Sequence, residues 1–293
     1  MLLLSAFACS RPRPQPEPAS TVTSAVRVAP ARLRAPAVAG AFYPADPDEL
    51  RTLVDDMLAD AKVQPIAGLR ALVCPHAGYQ FSGPVAASGF KQLTGRKFER
   101  VIVLAPSHHV PFSGVAIPDA DALRTPLGDI PVSNAARQLA SVAPFVVDSA
   151  PHAREHSLEV ELPFLQRVLG PFELVPLVFG DVDESLVADK LAPLVDARTL
   201  VVASSDLSHY YPYATAQQLD RETVDAIVAL DIERLNKTGQ ACGKSPVLAL
   251  LHLARLRGWK TKLLDSRNSG DTAGDRSRVV GYAAIAFFDG RNQ

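Results

Sequence analysis

The sequence is short of cysteine, of long apolar runs and of charge excess, and each shortage closes off a class of protein. Three cysteines among 293 residues are an odd number and cannot complete a disulfide framework. They include no Cys-x-x-Cys pair, which excludes a structural zinc ribbon. No apolar run approaches the ~18 residues a spanning helix needs, so a polytopic membrane protein is excluded. Lys and Arg number 30 against 31 Asp and Glu, so no broad basic surface for nucleic acid is expected. Gly78 and Gly83 do not fit Gly-x-Gly-x-x-Gly, so no dinucleotide fingerprint is present. What is there can bury a core: 47% of residues are hydrophobic and 21% charged, which excludes wholesale disorder. The expected product is a soluble globular protein.

The N-terminal arm differs from the rest. Residues 1–36 carry five arginines against Glu17 alone, while the remaining chain is mildly acidic. Pro recurs at every second position from 12 to 18, which removes donors and favours an extended, solvated chain. Residues 10–36 therefore read as a disordered linker. The apolar stretch before it ends in Ala-Phe-Ala-Cys9 and is similar to a bacterial lipoprotein signal, with Cys9 as the acylated residue. It lacks a basic leader, and an unstructured tail or misplaced start is the other reading. The expected location is accordingly either a membrane, through a lipid anchor at Cys9, or the cytoplasm, with no transmembrane span.

Residues 37–293 read as one domain. Asp46-Pro47-Asp48-Glu49 is a helix start, with a capping Asp, Pro in the first turn and acids at the positive end of the dipole. Apolar strand-like runs follow at 70–75, 100–105, 172–179, 199–204 and 279–288. Helical patterns fall near 83–93, 134–142, 157–169, 183–194, 214–235 and 245–257. Val-, Ile- and Leu-rich strands alternating with helices predict an α/β fold: a three-layer α/β/α domain around a mostly parallel sheet.

The polar chemistry follows the strands. The first run leads into His76-Ala-Gly-Tyr79, the second into Ser107-His108-His109 and the fourth into Ser205-Asp206-Leu207-Ser208-His209. Ligand sites of open α/β sheets gather outside the carboxyl ends of strands, so these histidines, with His156, suggest a metal site or a histidine-based centre. Gly78 permits a sharp turn after His76. His108 and His109 point opposite ways in an extended segment, so at most one reaches a given centre. Asp206 and His209, three apart, could share one face of a turn for acid–base work. Cys242 precedes Gly-Lys-Ser-Pro246 at a helix start, where the dipole and Lys244 favour thiolate, the form that ligates metals. Cys74 lies inside a strand run and reads as a packed core thiol. His152 and Glu159 read as a solvated helix face, and Pro163 should disturb the helix around it.

Together these segments resemble the Memo family, whose bacterial members are described as AmmeMemoRadiSam system protein B. The matching stretches, in family order, are Ala39-Gly-Ala-Phe-Tyr-Pro44, Pro75-His-Ala-Gly-Tyr79, Ala105-Pro-Ser-His-His-Val-Pro111, Arg124-Thr-Pro-Leu-Gly128, Glu155-His-Ser-Leu-Glu159, Ser204-Ser-Asp-Leu-Ser-His209 and Cys242-Gly-Lys-Ser-Pro246. The resemblance implies a fold like that of the class III extradiol dioxygenases, which use non-haem iron(II). It implies metal ligands at His76, His108 and Cys242, whose donor atoms should then fall within roughly 6 Å of one another. Asp206 and His209 fall beside that centre. The dioxygenases complete their ligand set with a carboxylate, whereas Cys242 stands here, a softer donor that favours copper or zinc more.

Three functions are compatible with that reading. The first is a redox enzyme, dioxygenase-like, with iron(II) or copper expected ahead of zinc. There His209 or His156 would serve as acid–base and Asp206 would orient an imidazole. The second is a binding or adaptor protein whose pocket holds a peptide or partner; the resemblance implies phosphotyrosine-bearing segments for eukaryotic members and a radical-SAM partner protein for bacterial ones. The third is metal-assisted hydrolysis with zinc. The substrate, a small molecule or a peptide, is not specified by any motif.

Overall fold

In a computed structural model of the chain, residues 32–290 are described. The acylation expected at Cys9 and most of the expected linker lie outside them. The linker boundary moves at its C-terminal end. Leu33–Arg34 is a short strand paired in parallel with Ala122–Thr125, in a three-stranded sheet completed by Gly128–Pro131. Residues 32–34 are therefore part of the folded body. The cause is Arg34: its guanidinium is nearly enclosed, paired with the buried Glu159 carboxylate and donating to the His152 and Glu155 carbonyls.

Among the described residues, nine strands form the main sheet. Its centre is a parallel block of Leu69–Cys74, Thr199–Ser204, Arg100–Pro106 and Glu173–Phe179, in that spatial order. These strands are buried at almost every position, as their unbroken apolar runs require when both faces are covered. Antiparallel pairing extends the block on both sides. Val279–Asp289 joins Leu69–Cys74 and carries Trp259–Asn268 and His209–Tyr211; Val115–Ile117 joins Glu173–Phe179 and carries Phe145–Val147. The sheet is thus parallel at its centre and mixed as a whole.

Helices cover the sheet. Pro47–Asp60, Tyr79–Phe90 and Leu162–Leu169 pack together, and Lys244–Arg257 packs with Glu184–Leu191 over Arg100–Pro106 and Thr199–Ser204. The first of these starts as its sequence dictates: the Asp46 carboxylate accepts from the Asp48 and Glu49 amides at 2.9 and 3.0 Å. Leu50 and Val54 are then fully buried, each stabilising the fold by roughly 1.5–3 kcal/mol. Pro163 opens the helix Leu162–Leu169 after a single 3₁₀ turn at Glu159–Glu161. No helix among the described residues is long and apolar enough to cross a membrane.

Two expected elements differ. The helix expected over 214–235 is two, Tyr213–Val228 and Ile232–Thr238, broken where Leu230 takes a left-handed φ of 55° and Asp231 caps the second by accepting from the Arg234 amide. His152 and Glu159 are buried, not solvated. The helix Ala150–Ala153 stops before His156, so helical spacing does not relate His152 to it. The His152 ring instead turns inward, Nε2 donating to the Ala116 carbonyl at 3.0 Å.

Candidate metal centre

The four parallel strands end on one side of the sheet, and the candidate residues follow those ends. His76 comes two residues after Cys74, Asp206 two after Ser204, and His108 two after Pro106. Cys242 arrives from a distant part of the chain, just before the helix Lys244–Arg257. That approach is tied down by backbone bonds. The Cys242 amide donates to the Asp206 carbonyl at 3.2 Å and the Gly243 amide to Ser205 Oγ at 2.9 Å. A Cβ on Gly243 would stand 2.3 Å from the Ser204 carbonyl oxygen, so a glycine is needed there for the two segments to meet. Gly78, by contrast, has an ordinary negative φ of −54° and opens the next helix.

His76, His108 and Cys242 converge. One donor atom from each lies within 4.8 Å of the others, although 166 residues separate His76 from Cys242. Cys242 Sγ is 3.2 Å from His76 Nε2. The far nitrogen of each ring is already engaged: His108 Nδ1 donates to Glu155 Oε1 at 2.9 Å, and His76 Nδ1 lies 2.8 Å from Ser204 Oγ. Both rings therefore present Nε2 to the shared centre, an orientation supported from behind as in built metal sites. This donor set fits a transition metal, since bonds of ~2.0–2.3 Å from one ion place its ligands roughly 3–4 Å apart.

Glu155 is the organiser of the second loop. Its buried carboxylate also accepts from the amides of His108, His156 and Ser157, at 2.6 to 3.0 Å. Burial works to raise its pKa, but the bonds from the His108 ring and the His108 and Ser157 amides outweigh it and hold the group well below the usual carboxylate range. His156 stacks on the His108 ring at 4.6 Å between centroids and sits edge-on to His76 at 5.4 Å. His109 is exposed, and residues 108–109 form a bend rather than the expected extended segment, so the His109 ring stays near the site, its centroid 6.2 Å from that of His156.

Several expectations at the site change. Asp206 does not orient an imidazole. Its carboxylate accepts from the His76 amide at 2.8 Å and from the Ala77 amide, and so shapes the turn that carries His76. Burial pushes it up to about 7. His209 does not pair with it; its Nδ1 donates to the Leu207 carbonyl at 2.8 Å, and Nε2 has no hydrogen-bond partner among the described residues. Burial also lowers the His209 pKa, lowers that of His156 to about 4, and lowers that of His76 well below 6.5. The surroundings of Cys242 do not favour the expected thiolate. Burial and the Asp206 carboxylate push its thiol up to about 12, and Lys244 turns away to the Asn236 carbonyl at 3.3 Å. Cys74 is the packed core thiol expected of it, fully buried in its strand.

A pocket of about 390 Å³ adjoins the centre. His156, Asp206 and His209 line it together with Phe42, Phe81 and Arg278. At its edge Tyr210 is 62% exposed, held at a left-handed φ of 64° with the Arg278 guanidinium 5.1 Å from its ring centroid.

The roles of Glu155 and Ser204 escaped sequence reasoning. The available signal was a run of acids inside a buried stretch, Glu155 through Glu161, since carboxylates enclosed in a core need partners.

A family described as Memo-like protein matches residues 34–286 of the chain. A MEMO1 family protein of Methanopyrus kandleri is 40% identical over 283 residues, covering 87% of this chain and 98% of its own length. One from Sulfolobus acidocaldarius is 37% identical over 284 residues, covering 88% and 100%. Among solved structures, an uncharacterized protein of Escherichia coli K12 superposes with a TM-score of 0.50 at 14% identity, over 74% of this chain and 99% of its own; that likeness is one of fold.

Proposed function

The chain belongs to the Memo family, and from that footing we propose that His76, His108 and Cys242 bind a redox-active metal, iron(II) or copper ahead of zinc, in an enzyme acting on a small molecule or peptide held in the adjoining pocket. The observation that carries this reading is the convergence of two ring nitrogens and one sulfur from three separate loops, each ring braced at its far nitrogen. Stability alone does not call for two imidazoles and a thiol to converge, each ring held at its far nitrogen. Bound there, iron or copper would supply electron exchange and Lewis acidity.

The chain's own residues divide the remaining work. Glu155 and Asp206 hold the backbone turns that carry His108 and His76. His209, neutral and with Nε2 unengaged, is the residue placed to take a proton from a group bound in the pocket. His156 and Phe42, 4.8 Å apart between ring centroids, form an aromatic wall of the pocket beside His76 and His108. A second reading, a pocket that binds a peptide without turnover, is favoured by the exposed Tyr210 and its stacked Arg278 at the edge.

Oxygen consumption separates the two. Protein loaded anaerobically with iron(II) or copper(I) and mixed with a pool of cellular small molecules and peptides should consume oxygen faster than Cys242→Ser protein treated identically. Equal rates for both would remove the enzymatic reading and leave the binding one.

A further inference from the structure

One buried carboxyl beside the centre has no part in the account so far. Glu161 is enclosed in the core, with Oε1 2.6 Å from Ser204 Oγ; Oε2 meets no hydrogen-bonding partner among the described residues. Ser204 Oγ in turn has three polar neighbours: the Ser157 carbonyl oxygen at 2.7 Å, Glu161 Oε1 at 2.6 Å and His76 Nδ1 at 2.8 Å.

A serine hydroxyl can donate one hydrogen and accept two. The Ser157 carbonyl can only accept, so the hydroxyl hydrogen goes to it. His76 Nδ1 and Glu161 Oε1 must then both donate. If the hydroxyl hydrogen turned to either of them, two bare oxygens would face each other 2.7 Å apart in the core. One assignment of hydrogens satisfies all three contacts.

We infer that Glu161 is a neutral carboxylic acid whose O–H, acting through Ser204, fixes His76 as its Nδ1–H tautomer and so aims the Nε2 lone pair at the ligand position. The purpose of this device rests on the metal-binding reading; its geometry does not. Glu161 is a positioning residue, since it reaches the centre only through Ser204.

Two other observations agree. Burial pushes the Glu161 pKa well above the usual carboxylate range. An ionised carboxylate with one oxygen bare of partners in the core would also cost far more than the carbonyl of a neutral acid. At the other end of the relay, the Cys242 thiol lies 3.2 Å from His76 Nε2, a contact that works as S–H donating to a bare nitrogen.

The test uses metal-free protein first. Nitrogen NMR of the histidine rings, with the His76 signal assigned by His76→Gln, should show Nδ1–H alone in the unmutated protein. Glu161→Gln should keep that tautomer, because its amide N–H can replace the acid O–H. Glu161→Leu should admit the Nε2–H form. The infrared difference between unmutated and Glu161→Gln protein should contain a protonated-carboxyl band. Zinc alone then serves as the binding probe: Glu161→Gln should bind it nearly as the unmutated protein does, and Glu161→Leu ~10-fold more weakly. Absence of the carboxylic-acid band, or an Nε2–H tautomer in the unmutated protein, overturns the inference even if Glu161→Leu does not fold. An unchanged tautomer and zinc affinity in a folded Glu161→Leu overturns it as well. If no variant binds zinc, the metal reading fails by itself, while the metal-free spectra still decide the role of Glu161.

Discussion

At the scale of single residues, the centre depends on side chains that would not touch a metal. Glu155 shows how narrow the tolerance is. Its Oε1 accepts from the His108 ring and from the His156 and Ser157 amides, and its Oε2 from the His108 amide. Every neighbour is a donor. In Glu155→Gln, either orientation of the amide sets an NH₂ against an N–H. The His108 loop should loosen, and metal affinity should fall by at least ~10-fold, the lower end of what loss of a supporting partner costs. Isothermal titration of the metal-free protein checks this. Affinity equal to that of the unmutated protein would mean that the His108 ring is held by something other than Glu155.

At the scale of elements, the N-terminal strand is joined to the site loop by a buried ion pair. Arg34 meets Glu159, whose carboxylate also accepts from the Ala37 and Val38 amides at 2.7 and 3.0 Å and from the Tyr43 hydroxyl. Arg34→Met leaves that carboxylate buried without its cation and should destabilise the fold by about 3 kcal/mol, on the order of 10 °C in melting temperature. A chain beginning at Arg32 should likewise melt well above one beginning at Ala37. Equal melting would show that the strand contributes nothing. The same segment marks a limit of sequence reading: with Pro30, Ala31 and Pro36 around it, Leu33–Arg34 looks like linker, because a two-residue strand has no periodicity to detect. The five apolar strands were legible because burial on both faces leaves few polar positions in them, mostly at their ends. Trp259–Asn268 was not, since its Lys residues are exposed, its Thr, Asp and Arg residues half-buried, and no clear alternation runs through them. In the site, the strand-end histidines and Cys242 could be read from the sequence. Ser204, Glu155 and Glu161 could not be given roles, because each acts on a residue far away in the chain.

At the scale of the whole molecule, burying histidines in neutral form makes the fold acid-sensitive. His152 has its pKa lowered to about 4, chiefly by burial, against ~6.5 for an unfolded histidine. Between those values the unfolded chain binds a proton that the folded protein does not. The stabilisation is fully present above about pH 6.5 and is lost as pH falls toward 4, by up to about 3 kcal/mol. His152→Gln, which keeps an N–H for the Ala116 carbonyl, should flatten that part of the stability-against-pH curve in denaturant titrations. Parallel curves for the two proteins would mean that His152 is already charged in the fold. Metal binding acts in the opposite sense, since a ligand held only by the folded state stabilises it by about 2.7 kcal/mol at a hundredfold excess over its dissociation constant. Metal content is therefore the most direct measurement. Protein purified without oxygen should carry a single iron or copper ion per chain. Cys74→Ser should retain it, because Cys74 is enclosed in its strand, and Cys242→Ser should lose it. Unmutated protein that holds no metal and takes up neither iron(II), copper nor zinc, or a Cys242→Ser protein that binds as well as the unmutated one, would contradict a metal centre at His76, His108 and Cys242.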